Sequence, residues 1–389
     1  MSAAARRLAI RELEAAAQRS ALGGLTPAEI DAFMARHEFP IVEGPSITFV
    51  YRGLADSVLL QHWIYGLPSS QPFNRLRGTD LWYLIVDIPE KSRLEYKFEV
   101  VNGDEHRLIN DPLNPHHARD PFSENSVARG ADYQTPDWTL PDPEARPGSF
   151  DEFVMGSDVL RAERRIKVYL PARFRPSRRY PLLIAHDGED YLRFSSLKTV
   201  LDNLIHRMEI APLVVAFTSS PRRLVEYADH PQHAQFLTEE LLPYLETRYP
   251  LIGRPEGRGL VGASFGAVAA LSTAWRYPDT WGCLFLQSGS FAFTDIGRHK
   301  RGPAFDAVVE FVNAFRSNPG HPSEKLFVTC GTYESLIYEN RSLVPLLQTT
   351  GMQVQYVEAR DGHNWENWRD RMRDGLSWLF PGPLWMVYE

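Results

Sequence analysis

Arg258-Gly259-Leu260-Val261-Gly262-Ala263-Ser264-Phe265-Gly266 joins an apolar run to a Gly-x-Ser-x-Gly pentapeptide. An Ala-rich run from Ala267 to Arg276 follows it, and Pro278 closes the run. The residues before the pentapeptide form a short apolar stretch of strand type, and those after it favour helix. Gly-x-Ser-x-Gly between a strand and a helix predicts a sharp, strained turn, with small flanking residues letting the backbone pass close by. Such a turn lifts the serine above a sheet edge and aims the N–H of Phe265 at the place where an oxyanion would form.

Outward from this turn, strands and amphipathic helices alternate over residues 149 to 389. The expected strands are Arg165–Tyr169, Leu182–His186, Leu213–Phe217, Arg258–Gly262, Cys283–Gln287, Lys325–Cys330 and Gln353–Glu358. The expected helices are Leu197–Arg207, Ala234–Arg248, Phe265–Arg276, Phe305–Arg316, Tyr338–Thr350 and Asn364–Phe380; the fifth contains Pro345, which disfavours a helix interior. This alternation predicts an α/β fold, a doubly wound, mostly parallel sheet with helices on both faces. The serine falls near the middle strand, where such a sheet places its site.

The upstream pattern differs. Residues 1 to 40 read as helical, with Thr26-Pro27-Ala28-Glu29 a start signal. Ser46–Arg52, Ser57–Trp63, Asp80–Ile88 and Glu95–Val101 are short segments rich in Val, Ile, Tyr, Phe and Trp, separated by turn clusters. They predict a small antiparallel, immunoglobulin-like β-sandwich over residues 41 to 135. Four prolines between residues 136 and 148 read as a linker. A chain of 389 residues is long enough for two domains of this kind.

A serine hydroxyl needs a base, and the base needs an orienting acid. In this arrangement the order along the chain is serine, acid, histidine, each at the end of a strand. His363 follows the last strand in Asp361-Gly362-His363-Asn364-Trp365, whereas His299 and His321 come well before it. Glu334, in Gly331-Thr332-Tyr333-Glu334 after the preceding strand, is the expected acid. Glu339 can pair with Arg341 instead, and Asp361 lies in the histidine's own loop. The second oxyanion donor is expected in His186-Asp187-Gly188-Glu189-Asp190-Tyr191, at the N–H of Glu189. The carboxylates of that loop lack the spacing of a calcium site, so no metal and no cofactor is called for.

Several pieces together give a resemblance. The catalytic half resembles the esterase D-type α/β-hydrolases, and the whole chain, over about residues 35 to 380, resembles the enterochelin (ferric enterobactin) esterases. The matching pieces are Asp187 to Tyr191, Arg223 with Glu226, Glu239-Glu240-Leu241-Leu242-Pro243, the pentapeptide, Gly331 to Glu334, and Gly362 to Trp365. Upstream, Asp80-Leu81-Trp82, Tyr96-Lys97-Phe98 and Asn110-Asp111-Pro112-Leu113-Asn114-Pro115 match the family's sandwich. The resemblance implies a serine esterase that opens the lactone of a catecholate siderophore. The substrate would be an anion when it carries iron, and Arg193, Arg222 and Arg223 are candidates to meet it, with Trp365 a candidate to line the pocket. Relatives of the same plan act on feruloyl or acetyl esters of polysaccharides, a second expectation. A non-catalytic binding protein is the third, with Trp63, Tyr65, Trp82 and Tyr83 as a stacking platform. Neighbours Trp82 and Tyr83 should point to opposite faces of a strand, which counts against such a platform.

A net charge of −7 argues against nucleic acid as a partner. No apolar run reaches membrane-spanning length, and the N-terminus, with Arg6, Arg7 and Arg11, lacks a signal-peptide core. With only Cys283 and Cys330 as cysteines, the chain reads as a cytoplasmic protein acting on a small-molecule ester.

Overall fold

From Ile41 to Arg129 the alternation of large apolar and polar residues builds two antiparallel sheets. The computed structural model describes residues 8–19, 24–293 and 301–383; Arg6, Arg7 and His299 lie outside the described residues. One sheet has the order Ile41–Glu43, Ser46–Arg52, Leu81–Asp87, Asn74–Arg75. The other runs Ser70–Pro72, Ser57–His62, Arg93–Asn102, Glu124–Arg129, His117–Arg119, with Glu105–Ile109 also paired to the long central strand. Their facing side chains, among them Phe49, Val58, Leu60, Tyr96 and Phe98, form one core. On the opposite face of the first sheet, Val50, Leu81 and Tyr83 pack with Ile10, Ile30 and Phe33 of the helices Ala9–Arg19 and Pro27–Met34. The second helix starts with the capping box expected of Thr26 and Glu29. Trp82 and Tyr83 are both buried, in different cores, so they form no platform; Trp63 and Tyr65 are exposed.

The chain divides into two compact units, and the first is continuous from residue 1 to Gln134, with Thr332–Glu334 and Arg360–Gly362 added. The N-terminal helices are therefore part of the sandwich unit. The second unit begins at Thr135 and takes in the proline-rich stretch. Trp138 there is buried in the core, and the Asn203 side-chain amide donates to the carbonyls of Trp138 and Leu140 at 2.8 and 2.7 Å.

The second unit holds an eight-stranded sheet. Its spatial order is Ser149–Ser157, Ala162–Leu170, Val214–Phe217, Leu182–Ala185, Arg258–Ala263, Cys283–Gln287, Lys325–Gly331, Gln353–Ala359. Ala162–Leu170 is antiparallel to both of its neighbours, and the strands from Val214–Phe217 onward pair in parallel. The central strands are apolar throughout because both faces are covered, one core lying on each side of the sheet. This is the α/β-hydrolase fold. Chain order and spatial order part company around Leu182–Ala185 and Arg258–Ala263, and the carboxyl ends of these two strands carry the candidate site.

Candidate active site

Ser264 is held at φ 58°, ψ −119° between the strand Arg258–Ala263 and the helix Phe265–Arg276. A residue with a Cβ avoids that region at a cost of about 1–3 kcal/mol, so the surroundings must enforce it. They do so by close packing. A Cβ on Gly262 would lie 2.3 Å from the carbonyl of Gly266, so any side chain there must force the backbone apart. The Ser264 N–H donates to the carbonyl of Gln287 at 2.9 Å, and its carbonyl accepts from Ala267 and Ser290. The hydroxyl is half-buried and sits 3.1 Å from the Ser290 hydroxyl.

Both candidate oxyanion donors fall in first helical turns, where backbone N–H groups have no intrahelical acceptor. Phe265 opens the helix Phe265–Arg276, and Glu189 is the second residue of Gly188–Phe194. The latter helix was expected to be loop. It starts where Asp187 takes a left-handed backbone, φ 52°, and Gly188 presses against Phe217 too closely to admit a Cβ. The Glu189 side chain points elsewhere, to Lys167 at 3.1 Å.

His363 is exposed and stands edge-on to the Trp368 ring, 5.0 Å between centroids. Trp368 is tied to the serine's surroundings. Its indole N–H donates to the Ser288 hydroxyl at 2.9 Å, and its carbonyl accepts from the Gln287 amide at 2.8 Å. Gln287 in turn accepts from the Tyr191 hydroxyl at 2.7 Å and, through its own carbonyl, from Ser264. Gln287, Ser288, Ser290 and Trp368 were not singled out in the sequence. The available signal was the position of Ser288-Gly289-Ser290 directly after a parallel strand. Glu334 is 4% exposed and belongs to the first unit, on the segment Thr332–Glu334.

The other named residues have definite places. The Arg223 guanidinium grips both oxygens of Asp187 at 2.9 and 2.8 Å and reaches the Ala263 carbonyl at 3.2 Å. It braces the loop before Glu189 against the turn before Ser264. Arg222 is exposed and lies 3.7 Å from Glu226, which is buried and paired with Arg164 at 2.7 Å. Arg193 is exposed above Phe194. Trp365 is in the core, stacked edge-on to Tyr191 and Trp368. Beneath the turn, His186 and His233 are buried with their Nε2 atoms 3.2 Å apart, and burial pushes His186 down to about 4. Both rings are therefore neutral near pH 7. No cluster of three or more metal-ligating side chains occurs among the described residues.

Comparison with known proteins bears on the family and the fold. The esterase family model ("Putative esterase") matches residues 157–379. An Iron(III) enterobactin esterase of Escherichia coli O6:H1 is 24% identical over 357 residues, 82% of this chain and 86% of that one. An uncharacterized protein of Bacillus subtilis is 31% identical over 244 residues, 59% of this chain and 97% of its own. Among solved structures, the enterobactin esterase of Shigella flexneri in the presence of enterobactin superposes with a TM-score of 0.73 at 20% identity, covering 90% of this chain and 97% of that one. A ferulic acid esterase superposes with a TM-score of 0.52 over 60% of this chain. The likeness to enterochelin esterases read from the sequence is borne out, and the chain belongs to the esterase family.

Proposed function

We propose that the protein is a serine esterase that hydrolyses the lactone bonds of a catecholate siderophore. The observation that carries the ester chemistry is the backbone of Ser264, φ 58°, ψ −119°, at a strand-to-helix turn that a side chain at Gly262 would force apart. A hydroxyl so placed stands clear of its own helix. In the proposed mechanism His363 takes its proton, and Oγ attacks the ester carbonyl. The N–H groups of Phe265 and Glu189 receive the oxyanion; one such donor lowers the barrier by roughly 3 kcal/mol. Glu334 holds the imidazole and stabilises its protonated form. His363 then gives the proton to the departing alcohol, and water, deprotonated by the same ring, cleaves the acyl-enzyme.

The siderophore assignment is supported by the relatives named Iron(III) enterobactin esterase, whose likeness runs over sandwich and hydrolase together. Arg193 and Arg222 are exposed cations for an anionic substrate. Arg223 acts as a brace, and Trp365 acts from the core. A cytoplasmic setting fits the two cysteines, which are both buried; burial pushes the Cys283 thiol up to about 12, so it is inert. No helix among the described residues is long and apolar enough to cross a membrane.

The test is hydrolysis of a catechol trilactone followed by chromatography, beside feruloyl and acetyl polysaccharide esters. Wild-type protein should release catechoyl-serine units, and Ser264→Ala should lose on the order of 1,000,000-fold in kcat. Preference for the polysaccharide esters would overturn the substrate. Absence of any turnover above that of Ser264→Ala would leave a binding protein.

A further inference from the structure

Two short segments of the hydrolase chain, Thr332–Glu334 and Arg360–Gly362, are counted with the sandwich unit. One ends on Glu334, and the other ends directly before His363. Within the first unit both segments are bound to one stretch of the sandwich, residues 90–95. The Ser92 hydroxyl is hydrogen-bonded to the Tyr333 hydroxyl. Arg93 is buried, and its guanidinium pairs with Asp361 at 3.3 Å and Glu95 at 3.0 Å. Its backbone N–H donates to the Arg360 carbonyl at 2.9 Å, and the Arg360 guanidinium returns to the Glu90 carbonyl at 2.7 Å. The two segments are also joined to each other: Tyr333 N–H donates to the Asp361 carbonyl at 3.1 Å. The Tyr65 N–H adds a bond of 2.6 Å to the Tyr333 carbonyl.

Charge burial on this scale has to be explained. Asp361 and Arg93 are 5% and 1% exposed. A buried ion pair adds little stability over apolar residues of the same volume, yet removing one partner is costly, so its contribution is to fix geometry. A triad needs such fixing, because a displacement of about 1 Å between acid and base can cost about 100-fold in rate.

We propose that Ser92, Arg93, Tyr333 and Asp361 are positioning residues for the triad: the sandwich sets the register of the acid's loop against the histidine's loop. This rests on the assignment of Glu334 and His363 as acid and base. Neither Ser92 nor Arg93 touches substrate in this scheme; they act through the two loops.

The test is the full-length protein with Tyr333→Phe and Ser92→Ala, singly and together, assayed on p-nitrophenyl butyrate across pH. Each substitution deletes the hydroxyl–hydroxyl bond and leaves the apolar packing of Tyr333; Ser92→Ala also removes the bond from the Ser92 hydroxyl to the Pro89 carbonyl. Each single variant should lose about tenfold in kcat, as loss of an orienting partner typically does, with KM within twofold. The double variant should be no worse than Ser92→Ala alone. A carboxylate held less well stabilises the imidazolium less, so the acidic limb of the kcat/KM profile should move to lower pH. Arg93→Lys should keep more activity than Arg93→Met. The proposal is overturned if the hydroxyl variants keep wild-type kcat and limb. It is equally overturned if their loss of activity matches a loss of folded protein while the limb stays put. Separately, Ser264→Ala tests the serine and Glu334→Gln the acid: activity persisting in the first, or an unmoved limb in the second, sinks the catalytic assignment itself.

Discussion

A glycine two residues ahead of the candidate nucleophile does as much for the site as the nucleophile. The backbone of Gly266 passes where a Cβ of Gly262 would be, and that crossing keeps Ser264 at positive φ. Gly262→Ala should therefore cost about 1–3 kcal/mol of stability from overpacking, read as a lower denaturant midpoint. Its activity should fall further than the remaining folded fraction accounts for; full activity in the folded fraction would show that the turn tolerates a wider crossing. The same scale explains the Asp-Pro-Leu-Asn-Pro segment. Asp111 accepts from the Tyr96 hydroxyl at 2.6 Å, and the Asn114 amide donates to that hydroxyl and to the Val127 carbonyl. Burying Asp111 and Asn114 is tolerable because each has its hydrogen-bond partners, and these bonds fasten the sandwich.

Among elements, the strands with apolar sequences are legible and the polar ones are not: Glu124–Arg129 has no apolar run to mark it, although Asn125, Ser126, Val127 and Ala128 are buried. Cys283–Gln287 and the helix Phe265–Arg276 match their expected limits, since continuous apolar runs between breakers leave one reading. Ser149–Ser157 was missed because it is an edge strand, largely exposed, with Asp151, Glu152 and Gly156 breaking any apolar run. Glu105–Ile109 and His117–Arg119 escaped for the same reason. The helix expected over Ala234–Arg248 is three pieces with a wide π turn at Phe236–Leu241, just before Pro243, whose missing N–H and ring disfavour a regular turn there. Pro345, in contrast, is accommodated inside Ile337–Thr349. The serine and its helix were readable from local chemistry, whereas Gln287, Ser288 and Trp368 become neighbours only through the sheet. So did His186 and His233, on separate elements beneath the turn. Their buried rings bind a proton less readily than in the unfolded chain, where histidine titrates near 6.5. The unfolded state then carries more protons between about pH 4 and 6.5, and stability falls as pH drops through that window. Thermal melting should show this fall in the wild type and a flatter profile in His186→Gln. An equal slope in both would assign the acid sensitivity to other groups.

For the molecule as a whole, the proposed chemistry depends on Ser264, strained at the edge of an α/β-hydrolase sheet, being an activated nucleophile. Likeness to an Iron(III) enterobactin esterase extends over 82% of the chain, so it takes in parts of both units. The substrate assignment concerns the complete two-unit protein. A fluorophosphonate probe followed by peptide mass mapping tests the claim most directly, because the probe reacts only with a hydroxyl that a base has activated. The account predicts one adduct per chain, on Ser264, abolished in Ser264→Ala and slowed by a factor of about 1,000 or more in His363→Ala. An adduct on any other residue, or a wild-type labelling rate in His363→Ala, would contradict it.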